Sequence, residues 1–124
     1  MRNVLFYSPD FSLCYSLLVY LQDRYNVTSS TDLNILKSLS RNGDFDLLVI
    51  DSEPDVGVEQ LCSEIKKSNP DLKIILTYVY DKKMNLAENR VKKIITGVLY
   101  KPYDLTEFTK FLPSIVTESG SNTI

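Results

Sequence analysis

Short apolar runs alternate along this chain with stretches whose apolar residues recur at helical spacing. Val4-Leu5-Phe6-Tyr7 reads as a first strand, and Phe11, Cys14, Leu17, Leu18 and Leu21 as the stripe of a first helix. Ser8 and Pro9 between them are expected as N-cap and first helical position. Tyr25-Asn26-Val27-Thr28 predicts a second strand. Leu33, Leu36 and Leu39 predict a second helix, stopped at Arg41-Asn42-Gly43-Asp44 with Gly43 as a left-handed exit. Leu47-Leu48-Val49-Ile50 is an apolar run in the manner of a central parallel strand, buried on both faces, and it ends on Asp51.

The second half repeats the alternation. Val58, Leu61, Cys62 and Ile65 give a third helix closed by Asn69-Pro70. Lys73-Ile74-Ile75-Leu76-Thr77 is a fourth strand, and Leu86, Val91 and Ile94 mark a fourth helix. Val98-Leu99-Tyr100 is a fifth strand ending at Lys101-Pro102. Asp104-Leu105-Thr106-Glu107 resembles a capping box before Phe108, Phe111 and Leu112, with Pro113 expected to kink or end that helix. One domain is expected over 1–116, followed by a small, polar and loose tail over 117–124.

Five strand–helix alternations with short connections imply an α/β fold, a parallel sheet covered on both faces. In open sheets of this kind chemistry gathers just past the carboxyl ends of the strands. Strand three ends on Asp51, strand four on Thr77 and strand five on Lys101. A carboxylate, a hydroxyl and an ammonium are thus expected along one sheet edge.

Composition narrows the chemistry. The 124 residues contain no histidine, which removes histidine acid–base catalysis and histidine-ligated zinc. With no general base beyond carboxylates, an enzyme turning over a small substrate is not expected. Cys14 and Cys62 lie in apolar helical patterns and read as buried thiols in a reducing compartment. A net charge of -2 gives no general attraction to nucleic acid or an anionic membrane. The pairs Lys66-Lys67, Lys82-Lys83 and Lys92-Lys93 read as solvated faces. No signal peptide or transmembrane-length run is seen, so a cytoplasmic protein is expected.

Three segments together resemble the receiver domain of two-component response regulators. Asp46 to Asp51 is similar to that family's third strand with its acceptor aspartate. Asn69 to Thr77 is similar to its fourth strand with the switch hydroxyl. Gly97 to Leu105, with Lys101-Pro102, is similar to its fifth strand. The resemblance spans Val4 to about Val116 and implies a flavodoxin-like, doubly wound five-stranded parallel sheet of order 2-1-3-4-5 with five helices. It implies that Asp51 takes a phosphoryl group as an acyl phosphate, in a phosphorelay, from a sensor histidine kinase or phosphotransfer protein. It implies that Lys101 pairs with the carboxylate and that Thr77 reads the phosphoryl group out to a downstream protein partner. It also implies a cis peptide at Lys101-Pro102.

The chain departs from that pattern at the metal. The family ends its first strand on two adjacent acids that help to hold a divalent ion, and here Ser8 and Pro9 stand at those places. Mg²⁺ is the implied cofactor, with Asp51, Asp10 and Glu53 as the carboxylates on offer. Pro54 follows Asp51 one residue earlier than usual. Tyr78 stands where a small residue is usual and is expected to narrow access to Asp51. Val98 takes the place of an aromatic switch. Two functions follow from the resemblance: a phosphoacceptor on Asp51, or a degenerate pseudo-receiver acting by phosphorylation-independent protein contact. A flavin-binding relative is disfavoured, because Ser8-Pro9-Asp10-Phe11-Ser12 has no glycine and presents an acid. No output domain follows, so a role on DNA within this chain is not expected.

Overall fold

The computed structural model describes the backbone of residues 1–120 and the side chains through Pro113. The strands are β1 (Arg2–Tyr7), β2 (Tyr25–Ser30), β3 (Leu47–Asp51), β4 (Lys73–Val79) and β5 (Gly97–Lys101). The helices are α1 (Phe11–Leu21), α2 (Leu36–Asn42), α3 (Val56–Ser68), α4 (Asn85–Val91) and α5 (Leu105–Gly120). Short 3-10 turns, Leu33–Ile35 and Lys82–Met84, lead into α2 and α4. All strand pairs are parallel and their order is β2-β1-β3-β4-β5. The expected α/β sheet is therefore present in the expected order.

Alternation along each strand divides the core in two. Val4, Phe6, Leu47, Val49 and Ile75 face α1 and α5, where they meet Cys14, Leu17, Leu21, Phe108 and Leu112. Leu5, Leu48, Ile50, Ile74 and Leu76 face the opposite way, onto Leu36, Val58, Cys62, Ile65 and Val91. The central strand β3 is buried from end to end, as its uninterrupted apolar run requires.

Several local expectations are corrected. Ser8 does not cap α1. Asp10 does, its carboxylate accepting from the amides of Ser12 and Leu13, because Ser8 is drawn into the core. Phe11 and Leu18 stay exposed, and Cys14, Leu17 and Leu21 alone of the expected stripe are buried. Gly43 leaves α2 with φ -101, in extended backbone rather than the left-handed region. Its requirement is space: a Cβ built there would collide with the Phe45 ring.

In α4, Leu86 is 76% exposed, while Val91 is buried and Ile94 packs against the core just past the helix. Asp104 and Glu107 form the reciprocal capping box, with Glu107 N donating to Asp104 Oδ1 at 2.7 Å and Asp104 N to Glu107 Oε1 at 3.4 Å. Pro113 does not end α5, which runs through it to Gly120. Pro113 is exposed, so its ring does not intrude on the core. The expected tail from Thr117 thus begins as helix, and 121–124 lie outside the described residues.

Candidate functional site

Strand register assembles the site. Tyr7 pairs with Ile50, Asp51 with Thr77, and Thr77 with Leu99. One step past Tyr7, Ser8 therefore falls beside Asp51. Ser8, Asp51, Thr77 and Lys101 continue the parity of Phe6, Val49, Ile75 and Leu99, so all four project on the α1/α5 side. The three sequence-predicted residues Asp51, Thr77 and Lys101 are brought together, and Ser8 joins them.

The Asp51 carboxylate is almost wholly buried, with 8% of the residue exposed. Its Oδ2 accepts from Ser8 Oγ at 2.7 Å. Its Oδ1 accepts from Lys101 Nζ at 3.0 Å and Thr77 Oγ1 at 3.3 Å. A carboxylate taken from water needs such donors to offset desolvation. Lys101 keeps 35% of its side chain exposed, which leaves the ion pair one edge in solvent. The Lys101-Pro102 peptide is cis.

Ser8 is itself fully engaged. Its Oγ accepts from the amide of Asp10 at 3.0 Å. Its amide donates to Ser30 O at 3.2 Å, and its carbonyl accepts from Cys14 Sγ at 3.6 Å. Beside this cluster the Tyr103 ring stacks on Phe108, and its buried hydroxyl has no hydrogen-bond partner within bonding geometry among the described residues. Burial pushes that hydroxyl up to about 12, the Asp51 charge adding to the rise and the Thr77 hydroxyl opposing it. Tyr7 is raised in the same direction, by burial first and the Asp51 charge second.

The three acids expected at Mg²⁺ are not gathered into one cluster among the described residues. Of these, Asp51 accepts from protein donors on both carboxylate oxygens, once on Oδ2 and twice on Oδ1. Asp10 caps α1 through its Oδ1. Glu53 lies exposed on the β3–α3 loop. Among the described residues no group of three Cys, Asp or Glu side chains comes close enough to hold a metal.

No protein-family model and no curated protein sequence matches this chain. Solved structures do match. A CheY-like response regulator receiver domain protein of Methanospirillum hungatei superposes with a TM-score of 0.83 at 17% identity, covering 98% of each chain. The chemotaxis protein CheY4 of Vibrio cholerae gives 0.77 at 19% identity, over 93% of this chain and 98% of that one. The response regulator TrrA of Thermotoga maritima, solved in complex with Mg²⁺ and BeF, gives 0.77 at 20% identity, over 93% and 99%. The chain has the receiver-domain fold. At these identities the likeness carries the fold, and the chemistry has to be argued from side chains.

On the other face of the receiver sheet lies a cluster that sequence reasoning missed. Tyr78 and Tyr100 are register partners on β4 and β5, and both donate their hydroxyls to Oε2 of Glu88 on α4, Tyr100 at 2.8 Å. Lys92 Nζ pairs with Glu88 Oε1 at 3.4 Å. Glu88 is only 5% exposed. Burial works against its charge, but the bonds from Tyr78 and Tyr100 and the Lys92 ammonium outweigh it and hold its pKa below the ordinary value. Tyr78 is raised, by burial and then by its bond to Glu88. Tyr78 therefore does not narrow access to Asp51 as expected, because it projects from the opposite face of β4. An acid one helical turn from Lys92 was the available signal, but surface i,i+4 pairs look the same in sequence.

Proposed function

We propose that this receiver-fold chain works as a protein-interaction module of the two-component signalling type, without relying on phosphorylation of Asp51, and that it turns over no small-molecule substrate. One observation supports the reading: both oxygens of the Asp51 carboxylate accept from protein donors, Oδ2 from Ser8 and Oδ1 from Thr77 and Lys101. An attacking carboxylate needs a free oxygen, and the charge of an incoming phosphoryl group needs more than one fixed cation to offset it. Here the oxygen nearest β1 is tied to Ser8.

The surface agrees with a role in contact. The α1 segment contains no charged residue, and it exposes Phe11, Tyr15, Val19 and Tyr20. Contiguous exposed apolar area is unusual on a protein that works alone. Among the described residues no helix is long and apolar enough to cross a membrane.

A second reading has its own support. Asp51 and Lys101 at the ends of β3 and β5 meet Thr77, two residues inside the end of β4, the set a phosphoacceptor uses, with a sensor histidine kinase or phosphotransfer protein as donor. Incubation with acetyl phosphate and Mg²⁺, followed by intact-protein mass measurement in acid, separates the two. The interaction reading expects unmodified protein. A single phosphoryl adduct absent from Asp51→Asn establishes the phosphoacceptor instead.

A further inference from the structure

Asp51 sits where a divalent ion would be expected, yet its surroundings supply the wrong donors. Mg²⁺ is held by oxygen ligands in near-octahedral order, ordinarily with one or two carboxylates. Asp51 Oδ2 instead accepts from the hydroxyl of Ser8, at 2.7 Å. That hydroxyl gives its proton to Asp51 and accepts the amide of Asp10. It acts as a fixed donor, not a free ligand. On the other side the Lys101 ammonium lies 3.0 Å from Oδ1. Asp10, the next acid in the chain, is turned to the amides of α1.

We propose that the Asp51 pocket is a latch independent of divalent ions, in which the Ser8 hydroxyl, beside the Lys101 ion pair, takes the place of a metal, and that position 8 is the determinant. Ser8 is fully buried at the end of β1 and bonds across to the end of β3, so the latch ties two central strands. A carboxylate at position 8 faces Asp51 at the same end of the sheet. Two buried like charges repel, and a divalent ion relieves the repulsion by binding both. Ser8 is a positioning residue here, and the inference rests on the phosphorylation-independent reading above.

The test uses Mn²⁺ as a paramagnetic probe and Mg²⁺ as a stabiliser, on wild type, Ser8→Asp and Ser8→Ala. Wild type is expected to show no saturable Mn²⁺ broadening at the amides of Ser8, Asp51, Thr77 and Lys101, and no rise in Tm with Mg²⁺. Ser8→Asp is expected to show both, or, if unfolded alone, to fold when Mg²⁺ is added. Ser8→Ala is expected to show neither, since it frees an oxygen without adding a carboxylate. Saturable broadening in wild type that Asp51→Asn abolishes overturns the latch. A Ser8→Asp protein that ignores Mg²⁺, or stays unfolded at every concentration, overturns the assignment to position 8.

Failure of the underlying reading looks different. Wild type that binds Mn²⁺ at Asp51 yet takes no phosphoryl group overturns the latch alone. Wild type that is phosphorylated by acetyl phosphate in chelator overturns the interaction reading alone.

Discussion

Ser8 Oγ donates to Asp51 Oδ2 across 2.7 Å, joining the carboxyl ends of β1 and β3 inside the protein. Hydrogen bonds to buried charged groups contribute about 1.5–3 kcal/mol. Ser8→Ala is therefore expected to lower unfolding stability by about that amount, read as a shift in urea midpoint with the slope unchanged. Ser8→Ala as stable as wild type would mean that Asp51 does not depend on this donor.

The cluster around Glu88 predicts acid sensitivity. The folded protein holds Glu88 below its ordinary pKa, so the unfolded chain takes up the proton first as pH falls. The stability contributed by ionised Glu88 is present above its ordinary value and is lost as pH falls through the lowered one. Tyr78→Phe removes one donor and should shrink that pH-dependent part, besides costing about 1–3 kcal/mol near neutrality. Denaturation midpoints of both proteins across the acid range check this, and parallel curves would contradict it.

Both thiols should be inert. Cys62 is fully buried and burial pushes its pKa up to about 12. Cys14 is also buried and raised, by burial first, with its bond to the Ser8 carbonyl working the other way. The thiolate is the reactive form, so a disulfide reagent at neutral pH is expected to label neither cysteine faster than the protein unfolds. Rapid labelling of the native protein would show a thiol more open than its burial.

Gly43→Ala should destabilise even though its backbone is ordinary. The new methyl would press on the Phe45 ring, and overpacking costs about 1–3 kcal/mol. In a Phe45→Ala background the same substitution should cost much less. Equal costs in both backgrounds would place the glycine's role elsewhere.

The fold was legible because each strand's apolar run was short and each helix stripe lay between recognisable stops. Asp51, Thr77 and Lys101 were legible for the same reason: each ends or nearly ends an apolar run, and parallel strands in register bring such ends to one edge. Ser8 was misread, since a serine before Pro-Asp looks like a helix cap and only the tertiary pairing of β1 with β3 turns it inward. Glu88 was invisible because its burial depends on two tyrosines from other strands. Tyr78 was assigned to the wrong face by adjacency to Thr77, although neighbours along a strand point to opposite sides. Pro113 was expected on propensity to kink or end its helix, and α5 runs through it.

An amide NMR titration with beryllofluoride and Mg²⁺ bears most directly on whether Asp51 is a structural carboxylate or a phosphoacceptor. Beryllofluoride takes the place of a phosphoryl group on a receptive aspartate. The resonances of Asp51, Thr77 and Lys101 are predicted to stay in place at saturating reagent, with Ser8 still bonded to the carboxylate. Saturable, Mg²⁺-dependent shifts at those residues that vanish in Asp51→Ala would contradict a structural Asp51 and make this chain a working phosphoacceptor.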